Sequence, residues 1–266
     1  MPNQPQIEQA LIFANLLADA AARAILPYFR AEHGVENKSL VEFDPVTMAD
    51  RAAEAAMRTL IFDNRPDDAI EGEEFGAHKG TSGWQWILDP IDGTRAFMAG
   101  TSTWGVLIGG YYEGEPIIGV MDQPFTGERW SAGPNSANWT RGGENAPLVT
   151  NQAAAIANSV IATTDPFLFH GEERLVFDEI RGAAPVTRYG LDCTAYGFLA
   201  LGNIGLVIET GLKLVDIAAL IPIVESSGGI VTNWRGERNP NGGQVIAAAN
   251  PQIHTAALAI LSRAAN

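Results

Sequence analysis

Cysteine, basic side chains and long apolar runs are all scarce in this sequence of 266 residues. A single cysteine, Cys193, excludes an intrachain disulfide and fits a reducing compartment. Seventeen basic residues stand against 31 acidic ones, and the net charge of −14 opposes nucleic-acid binding, which needs a basic surface. No uncharged apolar run approaches the roughly 18 residues of a membrane span. No basic residue precedes the first apolar stretch, so we expect no secretory signal and a cytoplasmic protein.

What is present indicates a globular chain. Hydrophobic residues make up 46% and charged residues 18%, enough to bury a core in one large domain or two small ones. Helical spacing of apolar residues predicts helices over 7–31 and 47–62, the second opened by a capping box at Thr47–Asp50, with a polar loop around 32–46 between them. β-rich runs predict an antiparallel meander over 104–112, 116–121, 127–132 and 137–141.

The pattern changes near residues 145–155, after which short strands alternate with helices. We predict strands over 158–163, 185–189, 205–209, 229–233 and 244–248, and helices over 172–181, 193–202, 215–227 and 251–263. The sequence therefore predicts an α/β chain of the layered α+β type. Its two closely packed halves would be 1–150, with two helices and an antiparallel sheet, and 151–266, with a mixed α/β arrangement.

The segment WILDPIDGTRAF (86–97) carries two aspartates directly after an apolar run. We predict a short buried strand over 86–88 with Asp89 at its carboxyl end. Pro90 and Gly93 favour a sharp turn that would bring Asp89 and Asp92 together. Two such anions repel each other unless a cation lies between them, and Mg²⁺ prefers oxygen ligands. The alternative is a turn in which the aspartates only cap the backbone.

Other acidic residues offer further candidates. IEGEEFG (70–76) supplies Glu73, although acidic runs are commonly solvated loops. Asp216 opens an apolar helix, and Asp50 lies in the capping box, so each could be a helix cap alone.

Taken together, four motifs are specific. FDPVTMAD (43–50), EGEEFG (71–76), WILDPIDGTRAF (86–97) and VDIAAL (215–220) occur in an order and spacing that resembles the inositol monophosphatase-like family. The resemblance covers nearly the whole chain. It implies a Mg²⁺-dependent, lithium-sensitive phosphatase with a layered α-β-α-β-α sandwich fold that acts on a small phosphorylated substrate as a homodimer.

The resemblance also implies metal ligands, position by position. Glu73, Asp89 and the Ile91 carbonyl would hold a first Mg²⁺. Asp89, Asp92 and Asp216 would hold a second.

Further roles follow from the same resemblance. Asp50 would lie beside the metals, binding a third, weaker ion or its water. Thr94 would orient the attacking water together with Glu73, and the amides of Gly93 and Thr94 would hold the phosphate. The metals would activate that water, so no side-chain nucleophile is needed.

Rival chemistries lack their motifs. Haloacid dehalogenase-type phosphatases attack with the first aspartate of D-x-D-G-T, but here Pro90 and Ile91 separate the two aspartates. The signatures of serine hydrolases, P-loop NTPases and Rossmann dinucleotide sites are missing. The four histidines show no zinc-ligand spacing.

Within the family, the TRAF context of Arg95 and the stretch 188–220 look like the histidinol-phosphate phosphatase branch. By position, Asp192 and Glu209 would border the leaving group, and two anions favour a substrate with an amine. Arg188 would contact the phosphate or hold Asp192, unless it forms only a structural ion pair. The departures from that branch pattern are Leu191, Asn203, Gly205, Leu214 and Val215.

Three alternatives stay open from the sequence. The substrate could be inositol 1-phosphate or a nucleotide 3′-phosphate. The chain could also be a catalytically silent metal-binding scaffold, although keeping Glu73, Asp92, Thr94 and Asp216 argues against that.

Overall fold

A computed structural model describes residues 1–30, 35–37, 45–134, 136–238 and 241–266, with backbone alone for 35–37 and 45–47. Its helices are α1 (Gln4–Ile25), α2 (Met48–Asn64), α3 (Thr94–Ala99), α4 (Gly171–Ala183), α5 (Thr194–Ala200), α6 (Leu214–Ile217), α7 (Leu220–Ser226) and α8 (Pro251–Leu261). Short 3₁₀ turns span Ile156–Asn158, Pro166–Leu168 and Ser262–Ala264. In these ranges no helix is long and apolar enough to cross a membrane.

The first helix begins at a reciprocal cap, in which the Asn3 side chain accepts from the Gln6 amide and the Gln6 side chain accepts from the Asn3 amide. It ends at Ile25, close to Pro27, the residue expected to bend or end it, because Pro27 has no amide proton to donate to the Arg23 carbonyl. Two short antiparallel strands, β1 (Val35–Asn37) and β2 (Pro45–Thr47), fall in the region predicted as a loop. The rest of that loop, and the Thr47 side chain on which the predicted capping box depends, lie outside the described residues.

The larger sheet has eight strands, in the order β10-β9-β8-β7-β6-β5-β3-β4. They are β3 (Ala69–Gly72), β4 (Gly76–His78), β5 (Trp84–Asp92), β6 (Gly105–Tyr112), β7 (Glu115–Gln123), β8 (Glu128–Gly133), β9 (Ser136–Arg141) and β10 (Glu144–Pro147). The predicted meander is confirmed as β6 to β9, with every neighbour antiparallel. β3, β4 and β10 were not predicted; β3 pairs in parallel with β5.

The strand that carries the aspartate pair is longer than predicted. β5 runs through Asp89 to Asp92, so the expectation that Asp89 ends a short strand was wrong. Asp89 pairs with Leu107 and Asp92 with Gly105, with an irregular register between the two pairs. Pro90, which has no amide proton to donate, lies in that irregularity. The chain thus bends inside the strand.

The smaller sheet has five strands in the order β12-β11-β13-β15-β14. They are β11 (Val160–Thr163), β12 (Val186–Tyr189), β13 (Leu206–Leu212), β14 (Ile230–Asn233) and β15 (Gly243–Ala248), and all five were predicted. The single helix predicted over 215–227 was wrong. It is divided into α6 and α7, because Pro222 cannot donate an amide proton to the Ala218 carbonyl.

The elements form five layers. α1 and α2 cover one face of the larger sheet. α5, α6 and α7 lie between the sheets, and α4 and α8 cover the far face of the smaller one. This α-β-α-β-α arrangement is the predicted fold. The proposed boundary at 145–155 begins within β10 and ends before β11; the division into two halves stays a prediction.

Two glycines let the middle layer approach the larger sheet closely. Gly109 on β6 and Gly119 on β7 are directly opposite each other across the strands. A Cβ at Gly119 would lie 2.0 Å from the Ala219 carbonyl oxygen, and one at Gly109 would lie 3.0 Å from the Ala218 Cβ. The turn between α6 and α7 therefore rests directly on the sheet backbone.

Candidate metal centre

Three aspartates from two distant segments meet between the sheets. Asp89 and Asp92 come from the bent part of β5, and Asp216 from the first turn of α6. One carboxylate oxygen of each lies within 4.8 Å of the others. The structure thus brings together three residues that the sequence analysis proposed as metal ligands.

Asp89 is the most buried of the three. It is 1% exposed, and its Oδ1 atom has no hydrogen-bond partner. Burial raises its pKa well above the ordinary value, and repulsion from Glu73, Asp92, Asp216 and Asp50 raises it further. The same repulsion indicates that Asp50, buried in the first turn of α2, and Glu73 are near this carboxylate.

The other two aspartates are anchored by backbone amides. The Cys193 amide donates to Asp92 Oδ2 at 2.7 Å, and the Lys213 amide donates to Asp216 Oδ2 at 2.6 Å. Burial raises the pKa of Asp216 to about 6, although the Lys213 amide favours the charged form. Burial also raises the pKa of Asp92. Each aspartate is thereby fixed in direction while an oxygen stays available for the cluster.

Glu73 lies near the three aspartates. Among the residues that the structure describes, the cluster of close carboxylate oxygens contains Asp89, Asp92 and Asp216 and does not include Glu73. Glu73 is carried by the turn between β3 and β4, which the buried carboxylate of Glu54 holds by accepting from the amides of Glu74 (2.7 Å) and Phe75 (3.2 Å). A Cβ at Gly72 would lie 1.9 Å from Glu54 Oε1. Only glycine therefore leaves room for the glutamate that shapes this turn.

The residues present fit a hard divalent cation. All candidate donors are oxygen atoms, which Mg²⁺ prefers. Three carboxylates lie close enough to repel each other, and the buried, unpartnered Oδ1 of Asp89 would be satisfied by a positive charge.

The residues that follow the aspartates form a tight turn. The Thr94 hydroxyl donates to the Ile91 carbonyl at 3.1 Å. Gly93 adopts a φ of +79°, and a Cβ there would lie 3.1 Å from both the Thr103 carbonyl oxygen and the Asp192 Cβ. The left-handed backbone and the close approach of Asp192 both require glycine here.

A cavity of about 20 Å³ adjoins the aspartates. It is lined by Asp92, Thr164, Asp192, Cys193, Tyr196, Glu209, Leu212, Asp216 and Leu220. The two residues proposed for the leaving group, Asp192 and Glu209, therefore line the same cavity as two of the aspartates, Asp92 and Asp216. Burial raises the pKa of Asp192 to about 6 and that of Glu209 to about 8.

The two arginines proposed for substrate contact lie differently. Arg95 forms an ion pair with Asp165 (Nη1–Oδ2 3.6 Å), and its charge lowers the pKa of Asp192, which places it near that carboxyl. Arg188 is exposed on β12 and is not among the residues that line the cavity. Among the described residues, Arg188 forms no ion pair with a carboxylate, and so none with Asp192.

Sequence reasoning missed three residues at this centre. Glu54 holds the turn of Glu73, the Lys213 ammonium contacts the Glu73 carboxylate, and the buried Tyr196 hydroxyl lines the cavity without a hydrogen-bond partner. Lys213 lies three residues before Asp216, and Tyr196 four residues after Asp192. The proximity of Lys213 to Asp216 and of Tyr196 to Asp192 in the sequence could have indicated both residues.

The fold of this chain matches those of solved inositol monophosphatases. The structure of one from Zymomonas mobilis superposes with a TM-score of 0.84 at 40% identity, over 96% of this chain and 98% of that one. The sequence profile of the inositol monophosphatase family matches residues 6–265, and the chain belongs to that family. Members of the family are in general Mg²⁺-dependent.

Curated relatives are consistent with this assignment. A chloroplastic bifunctional phosphatase of Arabidopsis thaliana, IMPL2, is 40% identical over 88% of this chain and 66% of its own length. A histidinol-phosphatase of Chlorobaculum parvum is 34% identical over 88% of this chain and 89% of its own length. The chain is a phosphoric monoester hydrolase.

Proposed function

We propose that this chain is a Mg²⁺-dependent phosphomonoesterase that cleaves a small phosphate monoester with a metal-activated water, and that histidinol phosphate is its substrate. The observation that carries the proposal is the convergence of Asp89, Asp92 and Asp216, whose oxygens lie within 4.8 Å of one another. Carboxylates so close together favour bound divalent cations, and such a centre supports phosphate ester cleavage.

The proposed ligands are oxygen atoms from three chain segments: Glu73, Asp89, the Ile91 carbonyl, Asp92 and Asp216, with Asp50 beside them for a third, weaker ion. Mg²⁺ at these residues supplies charge neutralisation for the phosphate oxygens and a lower pKa for a bound water. The protein's part is to fix the ligands, which the amides of Cys193 and Lys213 and the turn held by Glu54 accomplish.

The residues after the aspartates are proposed to position the reactants. Thr94 and Glu73 would orient the attacking water. The Thr94 hydroxyl already lies 3.1 Å from the Ile91 carbonyl, at the edge of the proposed centre. The amides of Gly93 and Thr94 would hold the phosphate, and Gly93 supplies the left-handed backbone from which α3 begins.

The choice of histidinol phosphate rests on the acidic wall of the cavity. Asp192 and Glu209 repel each other, and burial keeps the pKa of each above its ordinary value. An ammonium group in the leaving alcohol would lower both pKa values and form charge-assisted hydrogen bonds. Relatives from Chlorobaculum parvum and Streptomyces coelicolor, 34% and 32% identical, are named histidinol-phosphatases.

Inositol 1-phosphate is the second candidate. The Zymomonas mobilis protein, at 40% identity, is described as an inositol monophosphatase. A neutral polyol would gain less from two acidic side chains, which is why we rank it second. A homodimer and a cytoplasmic location stay predictions.

A phosphate-release assay tests the proposed function. Histidinol phosphate, inositol 1-phosphate and a nucleotide 3′-phosphate would be compared with Mg²⁺, with EDTA, and with added lithium. We expect Mg²⁺-dependent release, inhibited by lithium, with the highest kcat/KM for histidinol phosphate. Asp92→Asn should lower turnover at least about 100-fold without unfolding the chain. Asp63→Asn, at an exposed position in α2, is the matched control; near-normal turnover by Asp92→Asn would refute the metal assignment.

Substrate selection is tested separately through Asp192. Asp192→Asn should reduce kcat/KM for histidinol phosphate about 10-fold more than for inositol 1-phosphate, because a charge-assisted hydrogen bond to an amine is lost. Equal losses on the two substrates would remove the argument for an amine-bearing leaving group and leave the phosphatase assignment intact.

A further inference from the structure

We propose that Lys213 is a positioning residue that competes with the divalent cation for Glu73, and so limits how tightly the centre binds its metal. The inference rests on the proposed function, since it assumes that Glu73 is a metal ligand. Lys213 is not among the residues that the family resemblance implies as metal ligands or substrate contacts.

Lys213 contacts two of the proposed ligand carboxylates through its two nitrogen atoms. Its backbone amide donates to Asp216 Oδ2 at 2.6 Å, and its ammonium nitrogen lies 3.0 Å from Glu73 Oε1. The two carboxylates come from opposite halves of the sequence, and the ammonium reaches a residue 140 positions away. One residue thus joins the turn after β3 to the start of α6.

The ammonium group is the part that competes. A cation bound to the Glu73 carboxylate repels an ammonium hydrogen-bonded to that carboxylate, so binding one weakens the other. The Lys213 side chain is 59% exposed and that of Glu73 18% exposed. Ion pairs of this exposure add little to the stability of a fold, and salt screens them. The Lys213 ammonium nevertheless acts directly on Mg²⁺ binding, because it lowers the affinity of the Glu73 carboxylate for a second cation.

A substitution can separate the two contacts. Lys213→Met removes the ammonium but keeps a similar side-chain stem and the backbone amide that fixes Asp216. If Lys213 competes for Glu73, its loss should tighten Mg²⁺ binding, by roughly 2- to 5-fold for a pair of this exposure. If Lys213 only supports the local structure, its loss should weaken Mg²⁺ binding.

The experiment is calorimetric titration of the purified protein with Mg²⁺ in the absence of substrate. It compares wild type, Lys213→Met, Lys213→Arg and Lys79→Met, an exposed lysine in the loop after β4 that serves as the control. We expect tighter binding by Lys213→Met at low salt, near-wild-type binding by Lys213→Arg and Lys79→Met, and a difference that vanishes in about 1 M NaCl. Should Lys213→Met fail to fold, as judged by its circular dichroism, Lys213→Gln takes its place.

Mg²⁺ binding by Lys213→Met that is weaker than or equal to wild type would overturn the inference. Binding by Lys213→Arg as tight as that expected of Lys213→Met would also overturn it, because arginine keeps the positive charge. Wild-type protein that binds no Mg²⁺ would instead overturn the proposed function. The two failures are therefore distinct, and neither depends on turnover of a substrate.

Discussion

Glu209 is an ionisable group in the cavity wall whose effect on stability can be isolated. It is 1% exposed, and its carboxylate accepts from the Thr164 amide (2.8 Å) and from the hydroxyls of Thr164 (3.0 Å) and Thr163 (3.2 Å). Burial raises its pKa from 4.5 to about 8, although these bonds favour the charged form. We predict that Glu209→Gln, which can keep most of these bonds, makes the metal-free protein less sensitive to alkaline pH.

The sign follows from proton binding. The unfolded chain releases the Glu209 proton near pH 4.5, whereas the native state keeps it until about pH 8. In that window the native state binds more protons, so the free energy of unfolding falls as the pH rises. Each pH unit is worth about 1.4 kcal/mol, and the whole window therefore amounts to at most about 5 kcal/mol. Wild type should lose that much more stability than the glutamine variant over the window.

The assay is urea unfolding in EDTA at several pH values from 4.5 to 9, followed by tryptophan fluorescence, for which Trp130 and Trp234 are fully buried reporters. Glu172→Gln, at an exposed position in α4, is the matched control and should follow wild type. Parallel stability curves for wild type and Glu209→Gln would refute the reasoning, because they would show that Glu209 titrates alike in the native and unfolded states.

Two further variants probe the residues that sequence reasoning missed. Gly72→Ala should lower the free energy of unfolding by about 2–4 kcal/mol, because its Cβ would displace the Glu54 carboxylate. Gly182→Ala, at an open helical position, should be neutral or stabilising by up to about 1 kcal/mol, and equal urea midpoints for the two would contradict the packing argument. Tyr196→Phe should keep the stability of the metal-free protein or raise it by up to about 1 kcal/mol, because the buried Tyr196 hydroxyl has no hydrogen-bond partner. The same variant should raise KM for the substrate, because Tyr196 lines the cavity. A clear loss of stability with unchanged KM would contradict this.

Much of the fold could be predicted because its signals are local. The meander from β6 to β9 follows from β-rich runs separated by short turns, and the aspartate pair follows from a proline and a glycine within five residues. The length of β5 could not be predicted in this way. Its pairing with β6 continues past an irregularity, and pairing depends on the neighbouring strand more than on the residues of β5 itself.

The interactions that hold the centre together depend on segments far apart in the chain. The contact between Lys213 and Glu73 joins residues 140 positions apart, and the Glu54 carboxylate reaches amides about 20 positions away. Neither pairing leaves a periodic trace in the sequence, because each exists only once the layers have packed. The break between α6 and α7 was visible in Pro222, but apolar periodicity through 215–227 masked it.

The Gly109–Gly119 pair has a consequence for catalysis at a distance. α6 carries Asp216 on a short segment whose far end rests on those two backbones. A methyl group on either glycine would lift that segment from the strands and carry the third aspartate away from the other two. The spacing of the three carboxylates therefore depends on two glycines that lie outside the proposed metal and substrate sites.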